Sequence, residues 1–454
     1  MRNPSTERVS VLFTDLYELT MAASYFKERM FEPATFSLFI RRYPTKNWAY
    51  FVNAGLDEAL AFLEQFHFTD SEIDYLKSTG MFADDFLDYL RTLRFTGDVW
   101  AMKEGEIFFE DEPVLEVTGP IIEAQLVETF LLNTLHLQSL ICTKATRAML
   151  VAHGKALVDF SLRRTHGRDA GLKVARSCHI AGFKATSNVL AGYLYGIPTS
   201  GTMAHSYVTA FEEEIDAFRA FVRAHPDNAI LLIDTYDTLS GAKKAAEVGR
   251  EMKERGQTLR GVRLDSGDMA SLSRKVRRIL DDAGLKDTLI FASSGFDEYK
   301  IHKVLSRGAR IDGFGVGTNM GVSEDAPSSD MAYKMVAYAG RPVLKLSTGK
   351  LTLPAEKQVF RAYDRSGRFR RDTIALRDET IPGADPLLCK VMESGRRLFS
   401  ESLDEARARC AESLKRLPKK TARVVTPEHY RVEQSRGLRK LTDAIKGKLE
   451  KQII

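Results

Sequence analysis

The chain has few cysteines, no broad excess of charge and no long uninterrupted apolar run, and each shortage closes off a class of protein. Four cysteines occur in 454 residues, Cys142, Cys178, Cys389 and Cys410. They form no CxxC pair and have no histidine at zinc-ligand spacing, so they read as reduced thiols rather than a disulfide framework or a structural metal site. The greasiest stretch, residues 130–142, is broken by Asn133, His136 and Gln138, which leaves no bilayer-spanning helix. The N-terminus has no signal-peptide core, because Asp15 and Glu18 arrive too early. These absences predict a cytoplasmic protein with no membrane partner.

A basic face is missing as well. Net charge is +5, from 66 Lys and Arg against 61 Asp and Glu. From Ala411 onward there are 12 basic and 5 acidic residues, leaving 54 against 56 in the body, so no broad surface is built to track a nucleic-acid backbone. The excess lies in residues 414–451, which mix Leu and Ile with Lys and Arg and read as an amphipathic C-terminal helix with a solvated face. What is present is the balance of a globular chain, 44% hydrophobic and 28% charged, at a length that predicts at least two domains.

Three regions separate by rhythm. Residues 1–150 mix a helix signal (LYELTMAASYFKE), a strand-like run (ATFSLFIRRY), a β-rich stretch and a long apolar-periodic helix over residues 122–150, which predicts an α+β domain. Residues 151–330 have a period: the apolar runs ALVDFSL, AILLIDT, LRGVRLD, TLIFASS and IDGFGVG are mostly separated by helical segments. That is the pattern of βα units feeding a parallel sheet or barrel, with the polar residues after each strand gathered at its C-terminal face. Residues 331–454 return to strands joined by Gly-containing turns, then a charged helix (SLDEARARCAESLKRL), and read as a second domain or the return of the first.

Four segments could carry chemistry. GFGVGTNMG, with Gly315, Gly317 and Thr318, is either a phosphate-binding turn, where backbone N–H groups approach an anion, or a plain tight βα turn. RLDSGD places Asp265 and Asp268 around Ser266 and Gly267 at a strand end; the carboxylates suit magnesium or ribose hydroxyls and the Ser-Gly suits phosphate, while Asp265 or Ser266 could equally cap the next helix. IDTYDT puts Asp234 and Asp237 at another strand end, without the paired acids and TG ending of a type I phosphoribosyltransferase loop. SGTMAHSYV sets His205 in a Gly/Ser/Thr-rich loop, where it is either structural or catalytic.

Taken together and in this order, the motifs resemble the nicotinate phosphoribosyltransferase family of type II phosphoribosyltransferases. The resemblance runs through TDLYELTMA, FSLFIRRYP, DFSLRR, GFKATSNVLAG, GTMAHSYV, DTYDT, GVRLDSGD, GFGVGTNMG and KLSTGKLTLP, nearly the whole chain. It implies an irregular α/β barrel over about residues 157–319 with a second α+β domain built from the N-terminal region and the segment after the barrel. It also implies a reaction: nicotinate and 5-phosphoribosyl-1-pyrophosphate give nicotinate mononucleotide and pyrophosphate, coupled to ATP hydrolysis, with magnesium. The pyridine nitrogen needs no general base; the site must bind anions, orient the ring and stabilise an oxocarbenium-like ribose.

By the same resemblance, Phe160 and Tyr17 would sandwich the pyridine ring, Tyr17 arriving from the other subunit of a homodimer. Arg163 and Arg263 would lie near the nicotinate carboxylate, ribose and phosphates. Arg41, Lys345, Ser347 and Lys350 are candidate phosphate ligands. His205 matches the phosphorylated histidine, with Asp234 orienting its ring, and Asp234 and Asp265 holding magnesium. Ser187 stands where nicotinamide-using relatives carry Asp, which would repel a carboxylate that a serine hydroxyl can bond. Ala355 and Glu356 depart from the family pattern, which has Gly and a basic residue there. The alternatives are a nicotinamide-specific enzyme of the same fold and a non-catalytic nucleotide-binding relative.

Overall fold

Apolar runs of four to seven residues ending in a polar one become a parallel sheet. In the computed structural model, which describes residues 8–346 and 352–453, the strands Ala156–Asp159, Ala185–Thr186, Ile230–Leu232, Gly261–Leu264, Leu289–Ala292 and Gly313–Val316 form one six-stranded sheet. Its spatial order runs 185–186, 156–159, 313–316, 289–292, 261–264, 230–232, and every pairing is parallel. The sheet curls into a half-barrel whose edges are the 185–186 and 230–232 strands. Leu157, Leu231, Val262, Ile290 and Phe314 are fully buried, as unbroken apolar strands require when covered on both faces. The α/β architecture expected from the rhythm is therefore present.

The chain divides into two units, Lys144–Pro327 holding this sheet, and Met1–Thr143 with Ser328–Ile454. The long helix Glu128–Val151 runs through the first junction, so the boundary expected at residue 150 falls within the barrel unit. Helix periodicity marks the element and carries no sign of where one core ends. The helix expected over residues 122–150 is also two helices, Ile121–Leu126 and Glu128–Val151, parted at Val127.

The other unit is built on a seven-stranded antiparallel sheet in which the interior strand Pro33–Ile40 pairs with Met331–Tyr338 on one side and Leu115–Pro120 on the other. The N-terminal region and the segment after the barrel thus share one sheet. A four-stranded sheet includes Lys357–Tyr363 and Phe369–Leu376. The charged helix is Leu403–Arg416, opened by a capping box between Ser402 and Glu405. The basic tail is shorter than its composition suggests: the last helix is Arg436–Ile453, and between it and Leu403–Arg416 the chain forms a strand, Val432–Gln434, that pairs with Phe369–Leu376. No helix among the described residues is long and apolar enough to cross a membrane.

Candidate active site

Parallel strands deliver their last residues to one end of the sheet, and here the ladder continues one step beyond the regular strands. Phe160 N donates to Val316 O at 2.8 Å, Ser187 N to Asp159 O at 2.8 Å, Ile233 N to Arg263 O at 3.1 Å and Ser293 N to Leu264 O at 2.8 Å. These bonds fix the backbone on which Phe160, Ser187, Asp234, Asp265 and Ser293 stand.

Two acids lie at the centre. Asp234 Oδ2 accepts from Asp265 N at 2.9 Å and from Ser266 Oγ at 2.6 Å, while Asp234 Oδ1 is buried with no hydrogen-bond partner among the described residues. Asp265 Oδ1 accepts from Ser293 Oγ and from Arg263 at 3.1 Å. Burial pushes the Asp265 carboxyl up, but the Ser293 bond and the Arg263 charge outweigh it and hold the group below its ordinary value. Asp265 is therefore an anion at neutral pH.

Arg263 is a tie rod. Its Nε donates to Ser293 Oγ at 2.8 Å, and one terminal nitrogen reaches Thr202 Oγ1 at 3.0 Å and Met203 O at 3.2 Å. Its guanidinium carbon stands 5.5 Å from the centroid of the Phe160 ring. The expectation that Arg263 contacts substrate is thus joined by a second duty, anchoring the loop that leads into His205. That loop is pinned at its start too, since Ser200 N donates to Thr186 O at 2.9 Å.

His205 opens a short helix, His205–Thr209, instead of sitting in open loop. Its Nδ1 lies 3.2 Å from Thr235 Oγ1, and its Nε2 lies 4.0 Å from Asp265 Oδ2. Asp234, expected to orient the ring, makes no bond to it among the described residues, because its carboxylate is turned to Asp265 and Ser266. The orienting group is the neighbouring Thr235.

Other expectations are redirected by local structure. The Ser266 hydroxyl, a candidate phosphate ligand, donates here to Asp234 Oδ2 at 2.6 Å. The helix Met269–Asp282 is capped by Asp268, whose side chain accepts from Ala270 N and Ser271 N, and neither Asp265 nor Ser266 is the cap. Asp237 likewise caps Thr238–Glu254 through Ser240 N at 2.7 Å. Gly267 has φ 86°, a backbone that calls for glycine.

The glycine-rich segment is half strand and half helix: Gly315 lies inside Gly313–Val316, and Gly317 alone joins it to the four-residue helix Thr318–Gly321, which Thr318 opens. A Cβ on Gly315 would stand 2.4 Å from Cδ2 of Phe160, so this glycine makes room for the ring. Arg163 is exposed in the short 3-10 helix Leu162–Arg164, and no ion pair holds it among the described residues. Ser187 is half-buried beside the buried Asp159, whose carboxylate accepts from Ser161 N, Ser161 Oγ and Thr186 Oγ1.

Tyr17, Arg41 and Lys345 belong to the other unit. Tyr17 is 46% exposed on the helix Leu16–Lys27. Arg41 is paired with Asp330 at 2.9 Å, and Lys345 is exposed. Ser347 and Lys350 lie outside the described residues. The strand rhythm places Ser293 among the polar residues at the strand ends but assigns it no partner, and Thr235 and Thr202 lie inside the IDTYDT and SGTMAHSYV segments without a role of their own.

A curled parallel sheet with acids and an arginine at the C-terminal ends of its strands, and a histidine brought beside them by a short helix, defines an α/β-barrel enzyme with a site for anionic substrates. Family models place the chain more narrowly. The nicotinate phosphoribosyltransferase family model matches residues 155–348, its N-terminal domain model residues 12–136 and its C-terminal domain model residues 382–442. The chain is 49% identical over 414 residues to nicotinate phosphoribosyltransferase pncB2 of Mycobacterium tuberculosis, covering 91% of this chain and 88% of that one. It is 44% identical to the nicotinate phosphoribosyltransferase of Bacillus subtilis, over 82% of this chain and 77% of the relative. The crystal structure of human nicotinic acid phosphoribosyltransferase superposes with a TM-score of 0.85 at 29% identity, covering 95% of this chain and 99% of that one. The chain belongs to the nicotinate phosphoribosyltransferase family and is an enzyme of that type.

Proposed function

We propose that the enzyme joins nicotinate to 5-phosphoribosyl-1-pyrophosphate in pyridine nucleotide salvage, coupled to ATP hydrolysis through phosphorylation of His205. The observation that carries this reading is the cluster of His205, Asp265, Arg263 and Asp234 at one end of the parallel sheet, beside the Phe160 ring. The nicotinate nitrogen attacks C1 of the ribose as the bond to pyrophosphate breaks. The anionic Asp265 faces the positive charge that develops on the sugar, and the cationic Arg163 is free to meet a carboxylate or phosphate.

Two carboxylates fit a magnesium ion. Asp234 Oδ1 is buried without a hydrogen-bond partner among the described residues, and Asp265 is an anion next to it. Among the described residues there is no group of three or more His, Cys, Asp or Glu able to hold a metal. Asp234 and Asp265 would supply two oxygens, leaving the remaining positions to phosphate and water. Magnesium, when bound, neutralises charge on the departing pyrophosphate.

Ser187 favours the acid over the amide, because a hydroxyl can donate to a carboxylate that an aspartate would repel. A homodimer in which Tyr17 serves the partner's site completes the reading, and four free cysteines fit the reducing cytoplasm. The test is pyrophosphate release with 5-phosphoribosyl-1-pyrophosphate and magnesium, comparing nicotinate with nicotinamide, each with and without ATP. Release with nicotinate that rises when ATP is added is expected, and release with nicotinamide alone overturns the Ser187 argument. His205→Ala is expected to lose the response to ATP while retaining some ATP-independent turnover; an undiminished response sinks the phosphohistidine.

A further inference from the structure

We infer that Asp159 is a positioning residue for substrate choice, its buried carboxylate clamping the turn that carries Phe160 and Arg163 to the strand end that carries Ser187. The inference rests on the nicotinate-binding reading above and deepens it. Phe160 and Arg163 stand on one segment and Ser187 on another, and Asp159, itself 1% exposed, bonds to both. On the first side its Oδ1 accepts from Ser161 N at 2.9 Å and from Ser161 Oγ at 2.6 Å. These two bonds close the chain around Phe160 and lead into the 3-10 helix Leu162–Arg164 that presents Arg163. On the second side its Oδ2 accepts from Thr186 Oγ1 at 2.7 Å, and its backbone O accepts from Ser187 N at 2.8 Å.

The neighbours of Ser187 are tied into the same network. Asn188 N donates to Thr186 Oγ1 at 3.0 Å, so the hydroxyl proton of Thr186 is what it has left to give Asp159. Asn188 in turn donates through Nδ2 to Gly171 O at 3.1 Å and caps the helix Val189–Tyr195. Burial pushes the Asp159 carboxyl above its ordinary value, and the bonds from Ser161 and Thr186 oppose the rise. A strand end that only had to pack would be served by an apolar side chain, without the cost of burying an acid. Among the described residues, all three donors to the carboxylate come from the two segments that face the substrate. The clamp therefore fixes the spacing between the Phe160 ring, the Arg163 guanidinium and the Ser187 hydroxyl. Acid and amide offer the same ring to Phe160 and differ in one group, so discrimination depends on that spacing.

Pyrophosphate release by the full-length enzyme and its Thr186→Val, Thr186→Ser, Ser161→Ala and Ser187→Asp variants is measured with 5-phosphoribosyl-1-pyrophosphate, magnesium and ATP, varying nicotinate and, separately, nicotinamide, with thermal melts alongside. Val keeps the shape and removes the hydroxyl; Ser restores it. Thr186→Val is expected to raise KM for nicotinate about tenfold, the effect of one lost hydrogen bond, while kcat stays within about twofold and the preference for nicotinate narrows. Thr186→Ser is expected to return native values, and Ser161→Ala to show a smaller rise in KM, since Ser161 N still donates. A Thr186→Val enzyme that melts earlier but keeps the native KM overturns the inference, because the bond is then structural only; a fall in kcat at unchanged KM overturns it too. Should Thr186→Val not fold, a native KM in Ser161→Ala has the same force. Ser187→Asp is expected to weaken the preference for nicotinate. An unchanged preference there removes the substrate reading together with the inference, whereas a changed one beside native Thr186→Val kinetics overturns the role of Asp159 alone.

Discussion

Phe160 occupies the space a Cβ on Gly315 would need, and this one exclusion sets the position of the Phe160 ring. An added methyl would meet Cδ2 at 2.4 Å and Cε2 at 2.6 Å. Gly315→Ala is expected to push the ring aside, costing about 1–3 kcal/mol of stability and raising KM for nicotinate roughly tenfold as the stacked ring is misplaced. Steady-state kinetics and a denaturant melt check the two effects separately. Ser294, next to the Ser293 that holds Asp265, adopts φ 119°, a strained backbone at a strand end of the kind found at functional sites. Lys300 Nζ donates to its carbonyl and helps hold it there.

At the scale of the element, the helix Leu16–Lys27 carries an exposed Tyr17 beside a buried Glu18. Glu18 accepts from Thr14 Oγ1, from Thr129 N at 3.1 Å and from Thr129 Oγ1 at 2.6 Å. Burial raises its carboxyl to about 7 despite those bonds, with Glu128 adding to the shift. Because the folded value lies above the unfolded one, the associated stability is complete below about pH 4.5 and is lost as pH rises through 7. Glu18→Gln is expected to flatten that dependence, gaining on the order of 3 kcal/mol relative to the native chain at pH 8. Urea melts at pH 5 and pH 8 measure it. Elsewhere Ala355 holds φ 64° where the family pattern has glycine, and the Thr35 hydroxyl donates to the adjacent Glu356 at 3.0 Å. The departure in residue type therefore keeps the left-handed turn and gives the acid a partner inside the protein.

At the scale of the molecule, the proposed homodimer would draw Phe160 of each active site from one chain and Tyr17 from another. Tyr17→Ala and Phe160→Ala homodimers are each expected to lose most of their activity. Mixing the two after mild unfolding is expected to restore some, since a mixed dimer holds one site with both rings intact and one with neither. Activity that stays at the level of the separate variants argues that a single chain supplies both rings. The exposed Phe13, Leu16 and Tyr17 at the start of the first helix are consistent with a covered surface there.

Much of the architecture was legible without coordinates, because five of the six parallel strands are apolar runs long enough to show themselves between helices. Ala185–Thr186 is two residues, too short for any period to register. The strand-end acids were legible for the same reason, since parallel topology gathers strand ends wherever the rhythm places strands, whereas His205 stood out through its loop motif and the family resemblance. Partners were a different matter. RLDSGD contains both a site acid and a helix cap, and only the fold decided that Asp265 faces Arg263 and Ser293 while Asp268 caps the helix. Asp234 and Thr235 are adjacent in the chain, yet the histidine took the hydroxyl and left the carboxylate to Ser266. The sequence by itself determined the family, the alternation of strand and helix and which residue types reach the site. The tertiary structure alone decided which of them bond to one another, because hydrogen bonds depend on ångström-scale distances set by packing between segments far apart in the chain.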